Sequence, residues 1–276
     1  MQEIVTGSFA PCDWRLWPPV RIRVIDWNID RGSKLPAIVD FLSAQNADLL
    51  VLQEADLNTR RAGNANVAEE IARRLDMDYV FGREFQELGE GSKDSPAYTG
   101  QAVLSRWRLC YPRLIRFERQ SNFWRPRWWV PNAPIFQERL GGRIALVTEI
   151  EGAGRRLTVY NLHLESRGNH DIRLAQMEEV LEDAARHPFQ SPTLIAGDLN
   201  FDASCAFRTG AIQDFGFRSA LGLPSPYTTP ARGLFQRQRT IDWAFVSGPV
   251  EATLGHVHND IYASDHYPIS FTIRFS

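Results

Sequence analysis

Cysteine is scarce in this sequence: three in 276 residues, at positions 12, 110 and 205. Their wide spacing makes neither a paired-thiolate zinc motif nor a closed disulfide framework, so the expected setting is a reducing, cytoplasmic compartment. Long apolar runs are missing too. Leu49-Leu50-Val51-Leu52 falls far short of the ~20 residues needed to cross a bilayer. No basic region followed by an apolar one opens the chain, as a secretion signal would. Neither sign of charge dominates, with 31 Lys and Arg against 33 Asp and Glu, which argues against a surface that grips nucleic acid over its whole extent. Gly-x-Ser-x-Gly, Gly-x-Gly-x-x-Gly, the Walker A loop and His-Glu-x-x-His are all absent. Nucleophilic-serine, nucleotide-cofactor and zinc-peptidase chemistry therefore lack their usual signals. Linker-like Gly/Ser stretches and fixed-period repeats are absent as well.

What is present is a folding chain, 43% apolar and 11% aromatic, expected to form one domain over residues 21–276. The 1–20 extension carries three prolines with Trp14 and Trp17 and reads as an extended segment pinned by its indoles. Strands are expected over 21–28, 48–53, 100–105, 109–117, 143–150, 157–162, 193–196, 239–246, 252–257 and 269–275. Helices are expected over 34–45, over 67–75 with Asn66 as N-cap, and over 171–186. Strands mixed with a few helices imply layered α and β structure. One stretch stands apart: residues 104–143 hold nine arginines against Glu118 and Glu138, interleaved with eight aromatics. Arginine beside exposed rings suits a phosphate-bearing, stackable ligand; a strand pair with rings inside and arginines outside explains much of it equally well. The prolines between Phe123 and Pro134 make that part a loop.

At five places along the chain the apolar strand pattern meets polar side chains. Val24–Trp27 leads to Asn28 and Asp30, Leu49–Leu52 to Gln53 and Glu54, Leu157–Tyr160 to Asn161 and His163, and Thr193–Ala196 to Asp198 and Asn200; Asp265-His266 precedes the last strand, and Asp242 sits in the one before it. Each break alone reads equally as a turn, a helix cap or a satisfied core histidine. Together they describe a site assembled at strand ends. Carboxylates with an amide oxygen and no thiolate cluster suit a hard cation, Mg²⁺ or Mn²⁺. Histidines beside acids stabilise a transferring phosphoryl oxygen, and a carboxylate beside an amide orients a water for in-line attack.

The ordered set Trp-Asn-x-Asp, Leu-Gln-Glu, Asn-Leu-His-Leu, Gly-Asp-Leu-Asn, Ile-Asp and Ser-Asp-His resembles the endonuclease/exonuclease/phosphatase superfamily from about Arg21 to Phe275. The resemblance implies a four-layered α/β/β/α sandwich of two mixed sheets, and Mg²⁺-dependent phosphoester hydrolysis. It further implies Glu54 as principal metal ligand, with Asn28 beside it and Asp30 as a further metal-side carboxylate. Asp198 would position or deprotonate the water, and Asn200 would hold the phosphate. His266, oriented by Asp242, would contact the scissile phosphate with His163 as second histidine, and Asp265 would lie on the metal side. Trp27–Asp30 and His163-Leu164-Glu165-Ser166-Arg167 resemble 5′-tyrosyl-DNA phosphodiesterases in particular, which implies Ser166 and Arg167 as substrate contacts. Arg31 stands where Gly usually follows, and Arg167 is one residue nearer the histidine than in that pattern. The expected substrate is a nucleic-acid phosphodiester, with end or adduct processing as one form. A lipid or inositol phosphoester, with Trp124, Trp128 and Trp129 as interfacial anchor, is the alternative, and a non-catalytic binding module on the same fold is a remote one. No obligate protein partner is indicated.

Overall fold

The computed structural model describes all residues except 1–2, 12–19, 127–128, 130, 153–154, 188–190, 205–209, 223, 232–236 and 254. Trp14, Trp17, Trp128, Cys12 and Cys205 thus lie outside the described residues. In chain order the first strands are β1 (Ile4–Gly7), β2 (Arg21–Asn28), β3 (Leu49–Leu57), β4 (Asp78–Glu87), β5 (Ala97–Ser105), β6 (Arg108–Arg116) and β7 (Arg139–Gly141). They are followed by β8 (Ile144–Gly152), β9 (Arg155–His163), β10 (Thr193–Asp198), β11 (Arg218–Ser219), β12 (Asp242–Ser247), β13 (Val250–Ala252), β14 (His256–Val257) and β15 (Ile269–Phe275). The helices are α1 (Leu35–Gln45), α2 (Val67–Arg74) and α3 (His170–Ala184).

Two mixed sheets result. One runs β1-β4-β5-β3-β2-β15-β13, with β14 on β15 and β7 on β4; the other runs β11-β12-β10-β9-β8-β6. The pairs β2–β3 and β9–β10 are parallel, and the remaining ladders are antiparallel. The period-2 rule sorts the faces of β3: Leu49 and Val51 point into the core shared with Leu146, Val159 and Leu162 of the second sheet, while Leu50 and Leu52 join Ile38, Leu42 and Ile71 of α1 and α2. Met177, Val180, Leu181 and Ala184 of α3 pack on the second sheet. This is the four-layered α/β/β/α sandwich expected.

Most elements fall where the pattern puts them, and the Asn66 side chain caps α2 by accepting from Glu69 N at 3.2 Å. Four differences matter. The strand expected over 239–246 begins only at Asp242, because residues 239–241 instead bond to Thr228 and Thr229. The one expected over 252–257 is two short pieces, β13 and β14. The ten-residue β4 has no counterpart among the expected strands. Within the 1–20 stretch, β1 pairs antiparallel with β4.

A polar bridge crosses the space between the sheets. Asn161 of β9 donates to Leu52 O at 2.8 Å and Ala102 O at 2.9 Å, and its Oδ1 accepts from Gln53 Nε2 at 2.8 Å. These carbonyls flank a register shift between Leu52 and Ala55 on the β3–β5 ladder. One buried amide therefore ties the second sheet to the irregular part of the first. Asn161→Leu is expected to cost about 3 kcal/mol by stranding these partners in the core; urea unfolding measures it, and a loss below ~1 kcal/mol would contradict the bridge.

Candidate active site

Strand register brings the polar breaks together. Asp198 at the end of β10 lies in register with His163 of β9 on one side and Asp242 of β12 on the other. In the first sheet Asn28 pairs with Gln53, and Ile269 of β15 with Asp26, so the Ser264–His266 segment arrives at the same edge. Trp27 Nε1 holds it there by donating to His266 O at 2.9 Å, and Ser264 Oγ does so by donating to Asn28 O at 2.6 Å.

Asp198 is the centre. Its Oδ2 accepts from Asn28 Nδ2 at 3.2 Å and lies 3.6 Å from His163 Nε2 and 3.7 Å from His266 Nε2. Its Oδ1 accepts from Asn200 N at 2.8 Å. His266 Nδ1 faces both oxygens of Asp242 at 2.9 Å. Burial acts to discharge that imidazolium, but Asp242 and Asp198 outweigh it and hold its pKa at about 10. The Asp242 N–H donates to Thr228 Oγ1 (3.1 Å), which fixes the backbone that carries the carboxylate under the ring. Behind it, burial and the charge of Asp242 push the Asp26 carboxyl well above its ordinary value.

Glu54 faces the same space from the bulge of β3, at φ 53°. Burial opposes its charge, yet His163, Arg31, Arg143 and His266 together pull its pKa down to about 2. Its Oε1 lies 3.8 Å from His163 Nε2. Asn28 Oδ1 accepts from Asp30 N at 3.2 Å, and burial, Asp265 and Glu54 raise the Asp30 carboxyl. Glu54, Asn28, Asp30 and Asp265 thus gather as an oxygen-only, negatively charged set, the donor chemistry of a hard divalent cation. Asp198, Asp242 and His266 also present ligand atoms within 4.8 Å of one another. Within that trio His266 Nδ1 is already taken up by Asp242, which leaves Nε2 as the ring nitrogen facing Asp198.

The structure brings together Asn28, Asp30, Glu54, His163, Asp198, Asp242, Asp265 and His266. The side-chain amide of Asn200 is turned to Leu164 O (3.1 Å). Ser166 Oγ accepts from Arg143 at 2.9 Å. Arg167 stacks on Phe123 and Trp124, with its guanidinium carbon 4.2 and 5.2 Å from the ring centroids. Trp124 is buried among Phe85, Phe123 and Arg139, which removes it from the interfacial anchor expected of it; Trp129 remains exposed.

Two residues were not anticipated. Glu84 bonds Arg143 at 2.7 Å and lies 3.6 Å from His163 Nδ1, and both members of the Glu84–Arg143 pair are buried. Glu84 sits at a register shift between Arg83 and Phe85 that turns it inward. The signal in the sequence is an acid inside the apolar run Tyr79–Phe85.

Comparison with known proteins gives this edge its class. The Endonuclease/Exonuclease/phosphatase family model matches residues 27–266, and the chain belongs to that family of phosphoester hydrolases. Similar solved structures include an endonuclease/exonuclease/phosphatase from Beutenbergia cavernae (18% identity, 93% of this chain and 72% of that one, TM-score 0.66) and one from Bacteroides vulgatus (17%, 93% and 99%, 0.65). D. rerio TDP2 complexed with a single-strand DNA product is another (19%, 92% and 99%, 0.62). At these identities the likeness is one of fold. No curated protein matches the sequence at a significant level.

Two outcomes follow from the geometry. By NMR the His266 ring should stay charged through neutral pH, and Asp242→Asn should lower its pKa, because burial is then opposed by the charges of Asp198 and Asp265 without that of Asp242; a wild-type ring titrating near 6.5 would contradict the assignment. Glu84→Gln should cost about 3–5 kcal/mol in urea unfolding, because it leaves Arg143 buried without its countercharge.

Proposed function

We propose that the chain is a Mg²⁺- or Mn²⁺-dependent phosphodiesterase that cleaves nucleic acid by in-line attack of a water oriented by Asp198. The observation that carries this reading is the position of Asp198 Oδ2, held by Asn28 and within 3.7 Å of the Nε2 atoms of both histidines. Glu54, Asn28 and Asp30, with Asp265 nearby, would hold the cation, which supplies charge against the phosphate oxygens when bound. Asp198 accepts the proton of the water. His266 enters charged and donates from Nε2 to a non-bridging oxygen, while Asp242 keeps its Nδ1 proton in place. His163 faces the same oxygens from the opposite side, steadied by Glu84. Asn200 N–H fixes the Asp198 rotamer, a role suited to its position beside the reacting centre.

Support for a nucleic-acid substrate comes from the wall beside His163. Arg143, Arg139 and Arg167 alternate there with Phe85, Trp124 and Phe123, each guanidinium 4.2–5.3 Å from a ring centroid. Ser166 and exposed Arg167 lie at its outer end, where stacking and positive charge are offered together.

Purified protein with Mg²⁺ or EDTA, assayed on phosphotyrosyl, abasic and plain oligonucleotides, sphingomyelin and an inositol polyphosphate, tests the reading. Mg²⁺-dependent turnover of an oligonucleotide is expected, reduced at least ~10²-fold in Glu54→Ala and in Asp198→Ala, with binding that weakens steeply as salt rises. Turnover confined to the lipid or inositol substrates would overturn the nucleic-acid assignment. Full activity in Glu54→Ala would overturn the assignment of Glu54 to the cation.

A further inference from the structure

Arg31 follows Trp27-Asn28-Ile29-Asp30 in a single 3-10 turn, Asp30–Gly32, between β2 and α1. Its backbone is left-handed, φ 65° and ψ 8°, a conformation easy for glycine and costly for a residue with a Cβ. Asp30 before it is left-handed as well, at φ 44°. The tip of the strained residue reaches the metal side of the site. Its Nε lies 3.6 Å from Glu54 Oε2 and is buried without a hydrogen-bond partner, while a third of the side chain stays exposed. Glu54 is delivered to this meeting by its own left-handed backbone at the β3 bulge.

A guanidinium carries a fixed charge and no lone pair. Beside a carboxylate that binds a cation it competes; it cannot serve as a ligand. We propose that Arg31 is a resident countercharge of Glu54, which weakens divalent-cation binding and must leave Glu54 before the metal side fills. This inference rests on the reading of Glu54, Asn28 and Asp30 as that side. Its consequence is a threshold. Glu54 has a countercharge without a metal, and an anionic substrate offers the departing guanidinium a new partner, since planar guanidinium pairs with phosphate in two-pronged fashion. Metal and substrate then favour each other's arrival.

Mn²⁺ binding to the whole chain, followed by calorimetric titration without substrate, tests this. Arg31→Gly suits the left-handed backbone and removes the charge; Arg31→Gln keeps the reach and removes only the charge. Both are expected to bind Mn²⁺ about tenfold more tightly than the parent, the order of effect of a unit charge a few ångströms from a dication even at high dielectric. Arg31→Lys should stay near the parent. Unchanged or weaker binding in Arg31→Gln overturns the proposal, and so does a gain confined to Arg31→Gly, which traces to backbone relief. Glu54→Gln separates the proposal from the reading beneath it. Loss of Mn²⁺ binding is expected there; binding like the parent's, or none in any of the proteins, overturns the metal-side assignment itself.

Discussion

A carboxylate removed from water must be given a hydrogen bond, a countercharge or a proton, and one edge of this sandwich holds Asp26, Glu84, Asp198 and Asp242 nearly inaccessible. The surrounding structure answers each differently. Arg143 neutralises Glu84, His266 neutralises Asp242, Asn28 and the Asn200 N–H bind Asp198, and Asp26, with a hydrogen bond from Gln53 and the more distant charge of His266, is still pushed toward the protonated form. The compensations come from both sheets, so the edge is coherent only when the sheets are stacked in one register. The Asn161 bridge enforces that register from within.

Much of this was legible in the chain because buried parallel strands leave a sharp signature: an apolar run that stops at an acid, amide or histidine. Asn28, Glu54, His163 and Asp198 were visible that way. The same signature singled out Gln53 and Asn161, which prove to be scaffold: they satisfy each other and two carbonyls between the sheets. Glu84 escaped notice because a bulge delivers it, and a bulge changes where a side chain points without leaving a periodic trace. Arg143 escaped because its partner did. The start of β12 was misjudged because Thr228 and Thr229 capture the backbone of residues 239–241 that would otherwise extend it.

The arginine- and tryptophan-rich stretch divides in the structure as its composition suggested. Trp107 and Phe117 are core, Arg108–Arg116 is strand, and Phe123, Trp129 and Phe136 are exposed. What composition could not show is the alternation in space. Arg139, Arg143 and Arg167 come from separate segments, yet interleave with three rings beside His163. Arg139 and Arg143 are buried there and ion-paired with Glu87 and Glu84, whereas Arg167 is exposed and held over Phe123 and Trp124.

The outer edge of β4 is covered twice. β1 pairs with Tyr79–Gly82 and β7 with Phe85–Glu87, two short strands more than a hundred residues apart in the chain. Glu84 lies at the seam between them. An unpaired ten-residue edge would be a template for pairing with another copy. A chain begun at Arg21 would bare half of that template, so the Ile4–Gly7 strand bears on solubility and self-association.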